Sequence, residues 1–236
     1  MSLLSIAQTV APKFGIPAPN AAASSTDQNI QQIVAFINEE GQELGARADW
    51  QILRREASFT TVATESQGLL TTIAGADFNF MVNETFWNRS QRRPVFGPKT
   101  AAEWQQLKAQ FMQGPWIQYT IRGGAILFLP VPAAGQSCYF EWISKYWCTD
   151  ASGVTGKTAM TNDTDVAVLD ERIIALGAIW RFKRAKLLAY DEDKDKYERA
   201  VDDAIARDGS KPRLNLQGFQ TDIFPAVVVP AGNWGL

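Results

Sequence analysis

The sequence predicts an α+β fold: a helical bundle formed by the N- and C-terminal helices, with an inserted, mostly antiparallel β domain. Three observations carry this expectation. Apolar residues recur at three- and four-residue steps near both ends of the chain. The period changes to two through the middle of the sequence. No alternation of strand and helix runs occurs that would build a parallel sheet. At 236 residues, 46% hydrophobic and 20% charged, the chain can bury a sizeable core.

The elements follow in order. Leu3, Leu4, Ile6, Ala7 and Val10 give residues 2–11 one apolar helical face, and the prolines of "GIPAPNAAASS" end it. Ser25 or Thr26 is expected to cap a helix over 27–45, with Ile30, Ile33, Val34, Ile37 and Leu44 inward. Trp50, Ile52 and Leu53 follow on a short turn. From Ser58, "SFTTVAT" and part of "FNFMVNETFWNR" read as strands. After a loop, Thr100 with Glu103 three residues later forms a capping box for the next helix. "PWIQYTIRGGAILFLPV" reads as a hairpin turning on Gly123-Gly124. "SCYFEWISKYWC" reads as one long strand with aromatics on both faces, hence central or covered. In the C-terminal third, Leu169, Ile173, Leu176 and Trp180 form a helical stripe continuing to Leu187 or Leu188. Tyr197, Val201 and Ile205 mark a second helix, closed at Gly209. The expected divisions are 1–55 for the N-terminal helices, 56–165 for the β domain with one helix near 100–112, 166–210 for the C-terminal helices, and 211–236 for an extended arm.

Composition excludes several function classes. The net charge of −2 offers no global field for nucleic acid or membrane. The absence of histidine removes the commonest general base, Ser-His and Cys-His nucleophile pairs and the usual zinc sites. Cys138 and Cys148, ten steps apart on the expected strand, are too distant to bridge and read as buried thiols in a reducing compartment. No apolar run reaches membrane-span length, and no basic residue precedes the short N-terminal apolar stretch as a secretory signal requires. The sequons at Asn83, Asn88 and Asn162 carry no meaning without secretion.

Several motifs imitate chemistry. "ASGVTGKT", Ala151 to Thr158, matches the loose form of a nucleotide-binding P-loop. That motif works only where a helix opens at Gly-Lys-Thr and aims its N–H groups at phosphate. Here "AMTNDTD" follows, so a β-hairpin loop is expected, with Lys157 a solvent- or subunit-facing charge at its tip. "DEDKDK" has the acidic spacing of a calcium loop, but Lys196 and Asp202 stand where glycine and glutamate belong; a helix start is the simpler reading. Asp163, Asp165 and Asp170 could hold Mg²⁺, but Asp165 or Asp170 as a helix cap explains them. Glu141 lacks a paired carboxylate at fixed spacing. No catalytic, cofactor or metal residues are therefore expected. Arg181, Lys183, Arg184 and Lys186, with Lys157, are candidate DNA-channel or inter-subunit charges, and Arg89, Arg92 and Arg93 form a similar basic run. Trp116, Trp142, Trp147 and Trp180 are assigned to the core. The apolar, aperiodic tail "FPAVVVPAGNWGL" must lie against something, which makes Phe224, Val228, Val229 and Trp234 candidate partner contacts.

The order of elements resembles the head-to-tail connector (adaptor) proteins of tailed bacteriophages, a group that includes the tail tubular A-type proteins. Three stretches carry the likeness: "GQELGARADWQILRREASFTT", "ETFWNRSQRRPVFGPKTAAEWQQLK" and "LDERIIALGAIWRFKRAKLLAYDEDKDKYERAVDDAIARDG". The resemblance implies a structural, non-enzymatic virion protein at the head-tail junction, made in the host cytoplasm. Copies would form a ring, typically dodecameric, beneath the portal protein. The ring would surround the DNA exit channel, with non-specific contact to genomic DNA, and offer tail or nozzle proteins an attachment surface. The extended terminus would reach into the portal or a neighbouring subunit. Two rival classes remain: an NTPase using Lys157 and Thr158, and a β-sandwich carbohydrate-binding or other tail-associated binding module with exposed aromatics.

Overall fold

The fold was analysed in a computed structural model that describes residues 2–110, 114 and 116–209. The N-terminal elements are α1 (Leu3–Val10), a 3₁₀ turn (Ala11–Phe14), α2 (Gln28–Arg47) and a second 3₁₀ turn (Gln51–Leu53). The Ser2 hydroxyl caps α1 by accepting the Ser5 N–H, and the helix buries Leu3, Ile6, Ala7 and Val10. The cap of α2 is Asp27, not Ser25 or Thr26. Its carboxylate accepts the Asn29 N–H at 2.8 Å, while the Ser25 hydroxyl turns to the N–H of Asp27 itself. A carboxylate beside a helix N-terminus also gains from the dipole, which a hydroxyl does not.

The middle of the chain is β1 (Arg54–Thr60), β2 (Ser66–Leu69), α3 (Leu70–Ile73), β3 (Phe78–Met81), β4 (Trp87–Asn88), β5 (Arg93–Pro94), α4 (Ala101–Ala109), β6 (Gln118–Arg122), β7 (Ala125–Leu129), β8 (Ser137–Ser144), β9 (Cys148–Thr149), β10 (Gly156–Lys157) and β11 (Val166–Ala167). All strand pairs named here are antiparallel. β8 is central: β1 runs along one edge of it, and β4 and β3 share the other. A second sheet has the order β2-β7-β6, and a third, small one the order β10-β9-β11. The Thr100–Glu103 capping box forms as read, its N–H contacts spanning 2.8 and 3.3 Å. The β6–β7 hairpin turns on Gly123 and Gly124, both at positive φ, a conformation glycine adopts without a steric penalty.

The chain ends its described part with α5 (Glu171–Ala185) and α6 (Asp191–Asp208). Helices from both ends meet: α5 packs on α1, α2 and α6. The fold is α+β, with helices at both termini and antiparallel sheets between them. Two apolar clusters result. One joins Ile33, Ile37, Ile174, Ala178 and Val201 of the helices, and the other joins Tyr119, Ile126, Phe128 and Phe140 of the sheets with Phe86, which precedes β4.

Two expectations fail here. The long strand stops at Ser144, whose hydroxyl bonds Asp77 at 2.8 Å and accepts the Tyr146 N–H at 3.1 Å. The chain therefore turns before Cys148, and the two cysteines lie on different strands. Cys138 enters the sheet cluster and Cys148 the helical one. Both are free, and burial pushes both thiols up to about 12. The second failure is Trp116, which is 43% exposed rather than in the core. It packs edge-on against Phe96 at 5.9 Å, under the Arg93 guanidinium.

Candidate functional site

The stretch that spells a nucleotide motif is the β9–β10 hairpin. Asp150 accepts the Ser152 hydroxyl at 2.7 Å and the N–H groups of Val154 and Thr155, each at 3.3 Å. The Ser152 hydroxyl, followed by the bonds from Thr155 and Val154, brings the Asp150 carboxyl down to about 2. These bonds turn the loop onto its own aspartate. No helix begins at Lys157; the next one opens at Glu171.

Lys157 is not the free charge at a hairpin tip that the sequence suggested. It stands on β10, and its ammonium sits 2.7 and 2.9 Å from the two carboxylate oxygens of Asp165. Asp165 is buried and also accepts the N–H groups of Thr161 and Asn162 at 2.7 and 2.9 Å. Burial works to raise its pKa. Lys157 and the two N–H donors outweigh that and hold the carboxyl below its usual range. The remaining aspartates of the imagined Mg²⁺ cluster also have structural roles. Asp163 accepts the Ala22 and Ala23 N–H groups, and Asp170 caps α5. Among the described residues no group of carboxylates, cysteines or histidines could hold a metal.

Lys157→Ala is expected to destabilise the fold by about 2 kcal/mol at neutral pH, because it strands a buried carboxylate. The Asp165 pKa is depressed in the fold, so its contribution is present above the unfolded value and is lost as pH falls through the folded value. Urea melts should therefore show the wild-type and variant midpoints converging below about pH 4. A gap that does not narrow as pH falls below about 4 would deny the pair this role.

The basic set on α5 divides sharply. Arg181 is buried and belongs to the bundle core, so it is not an outward channel charge. Its guanidinium meets Glu39 at 2.7 Å, Glu40 at 3.0 Å and Glu43 at 2.5 Å, all from α2. Glu39 and Glu43 are half exposed, whereas Glu40 is fully buried and one of its oxygens has no hydrogen-bond partner. Burial pushes the Glu40 carboxyl up to about 7, against the lowering effects of the Tyr197 hydroxyl and Arg181. Gly177 on α5 makes the room, since a methyl there would overlap the Glu40 side chain. Lys183 pairs with Asp193 of α6. Lys186 reaches Asn29 at 3.1 Å and lies over the Phe182 ring. Arg184 and Lys186 are the exposed members of the set.

The expected helical stripe ends before Leu187 and Leu188. Both lie past the C-terminus of α5 and are 94% and 51% exposed. Phe224, Val228, Val229 and Trp234 lie outside the described residues. At the opposite end of α5, a groove of about 640 Å³ opens between α5, α6 and the Gln51–Leu53 turn. Trp50, Ile52, Leu169, Ile173, Leu176 and Ala204 line it. "DEDKDK" forms the first turns of α6, as read, with Lys196 paired to Glu192 rather than arranged around an ion.

Sequence reasoning missed Glu40, and it read Asp165 as a metal ligand or helix cap rather than as the partner of Lys157. Glu40 did leave a signal, because it falls on the same helical face as Ile33, Ile37 and Leu44. An acid on an apolar face implies a buried partner, and Arg181 is the only arginine within the apolar stretch of α5.

Trp142 and Trp147 are 2% and 1% exposed, which argues against a carbohydrate-binding platform built on them. No described helix is long and apolar enough to cross a membrane. A family model described as "SU10 adaptor protein" matches residues 1–218. No curated protein matches the chain.

Proposed function

The chain belongs to the SU10 adaptor protein family, which makes it a structural phage adaptor, and from that membership we propose how it assembles. Copies form a closed ring, a dodecamer, docked beneath the portal protein and surrounding the DNA exit channel. The far side of the ring presents the attachment surface for tail or nozzle proteins. The likeness to tail tubular A-type proteins is part of the same proposal. The observation that carries it is the family match over nearly the whole chain.

The site geometry supports a structural role. The pseudo-P-loop lysine is bound to Asp165, and the most central cation of α5 is bound to three glutamates. These charges hold the fold together and are not directed at phosphate. Arg184 and Lys186 are left as exposed cations of the set, so contact with DNA in the channel would be sparse, non-specific and weakened by salt. The hydrophobic tail residues Phe224, Val228, Val229 and Trp234 are proposed to contact the portal or a neighbouring copy.

Mass photometry of the purified full chain, alone and with portal protein, tests the reading. The expected result is a species many times the 26.1 kDa monomer, formed alone or on the portal. A chain that stays monomeric at all concentrations and does not bind portal would refute it.

A further inference from the structure

β1 is an outer strand, paired with β8 on one side and with no described strand on the other. The Thr61 N–H bonds the Gln136 carbonyl at 2.8 Å, one step past the last β1–β8 pair. Antiparallel alternation then turns the backbone groups of Phe59, Ala57 and Arg55 toward β8, and those of Glu56, Ser58 and Thr60 away from it. β8 agrees, because its Ser137 and Glu141 carbonyls point to its far side and accept the Arg89 and Val82 N–H groups at 2.9 Å. Among the described residues no backbone group bonds the amides of Glu56, Ser58 or Thr60, and all three residues are exposed. The charges that ordinarily guard such an edge are engaged across the sheet. Arg54 meets Glu141 at 3.5 Å, Arg55 meets Asp77 at 3.7 Å, and Glu56 is paired with Arg89. Ser58 and Thr60 carry no charge. Phe59 of β1 and Ile73 of α3, which approaches β1, are only partly buried at the border of the sheet cluster.

The chain itself supplies a segment that fits this edge. Beyond α6 the sequence reads "SKPRLNLQGFQTDIFPAVVVPAGNWGL", and its "AVVV", residues 226–229, is a β-favouring run bounded by Pro225 and Pro230. A proline lacks the N–H that a further strand would need, so a run closed by prolines suits the outside of a sheet. The tail also starts in the right place. Gln51 donates its backbone N–H to the Asp208 carboxylate at 2.8 Å and its side-chain amide to the Asp208 carbonyl. These bonds hold the end of α6 beside the turn that leads into β1. Residues 210–225 then span up to about 50 Å. That exceeds the roughly 40–45 Å diameter of a compact body of this size, so the run can cross its own subunit and meet the same edge on the next. An edge in its own subunit, beginning right after the Gln51–Leu53 turn, would need no such spacer.

We infer that residues 226–229 of one copy add as an extra strand to the free edge of β1 in the neighbouring copy. The outward amides of Glu56, Ser58 and Thr60 gain partners there, and the valines cover Phe59. Main-chain bonds supply the affinity of such a contact, and the side chains its specificity. The donated run and the accepting edge are different surfaces, so each exchange leaves one of each open. Such a contact propagates until the ring closes. This inference rests on the ring reading above and names the segment that links its copies.

Cross-linking of the assembled full-length chain tests this. Cys138 and Cys148 are free but buried, so a cysteine introduced at position 58, 227 or 228 is the accessible thiol. In mixtures of single variants, a short bismaleimide should join Ser58→Cys to Val227→Cys or to Val228→Cys. The product is a covalent two-copy band that neither variant gives alone. The double variant Ser58→Cys/Val228→Cys should give a ladder of covalent multimers. Ser58→Pro removes only an outward N–H, which an edge strand tolerates, and should raise the concentration needed for assembly at least tenfold. If that variant does not fold, the cross-links decide. An internally cross-linked monomer from the double variant would put the run on its own β1 and overturn the inference. Assembled protein in which neither tail variant links to Ser58→Cys would also overturn it, as would a folded Ser58→Pro protein that assembles as the wild type does. Each of these outcomes leaves the ring standing. A wild type that never assembles, with or without portal, would remove the ring reading as well.

Discussion

Arg181→Ala is expected to cost about 3 kcal/mol at pH 8 and roughly half that at pH 5. The guanidinium is the common partner of Glu39, Glu40 and Glu43 on α2, and it is buried between α2 and α5. Removing it leaves Glu40 fully buried, facing two other carboxylates with no cation between them. The pH dependence follows from which protonation state the fold prefers. Glu40 titrates near 4.5 in the unfolded chain and near 7 in the fold, chiefly through burial. Between those values the folded protein holds a proton the unfolded chain has released. The stability this group contributes is therefore full below about 4.5 and is lost as pH rises through about 7. At pH 5 the variant keeps a neutral Glu40 and loses mainly hydrogen bonds and the packed arginine stem. At pH 8 it must also bury a charge or take up a proton from dilute solution. Urea unfolding at both pH values measures the difference. An equal loss at pH 5 and pH 8 would show that the Glu40 charge does not control it. Glu40→Gln, which cannot ionise, should reduce the fall in stability between pH 5 and pH 8.

Most of the helical scaffold was readable because its signals are local. The stripes of α1, α2, α5 and α6, the Thr100–Glu103 box and the Gly123-Gly124 turn depend on residues within a few positions of one another. Most of the errors come from contacts that a local pattern of residue types does not encode. Nothing local says that "SCYFEWISKYWC" must turn at Ser144; the Asp77 carboxylate that receives the Ser144 hydroxyl is remote in sequence. Lys157 looked outward because its partner, Asp165, lies across a turn whose geometry depends on the N–H groups of Thr161 and Asn162. Arg181 looked like one of four surface cations until α2 brought three glutamates to it. Trp116 followed the general tendency of tryptophan to be buried, and a position beside Phe96 and Arg93 satisfied it at the surface instead. Leu187 extended an apolar series by residue type, although helix termination had already turned it out of the stripe.

Trp147→Ala is expected to cost about 4 kcal/mol, the middle of the range for removing a buried large aromatic. Trp147 is 1% exposed and follows the turn at which the central strand hands the chain over to the helical cluster. Its indole N–H donates to the Thr158 carbonyl at 2.7 Å, tying together the two ends of the β9–β10 hairpin. That carbonyl also accepts the Gln42 side chain at 3.2 Å, so it keeps a partner after truncation and the loss should be mostly packing. Trp147→Phe should therefore cost much less, on the order of 1–2 kcal/mol. The ring lies over Gly41 of α2, where a methyl group would overlap it. This gives the pair a coupling whose sign can be predicted. Gly41→Ala alone should destabilise, because the ring must move within a packed core. In the Trp147→Ala background the same change should stabilise by about 0.5–1 kcal/mol, since alanine is the better helix residue and its methyl enters the space the ring vacated. A double-mutant cycle by urea unfolding reads this reversal directly. Additive effects would mean that the ring does not rest on Gly41. A reversal would show that a glycine inside α2 is retained for the tryptophan that joins the sheets to the bundle.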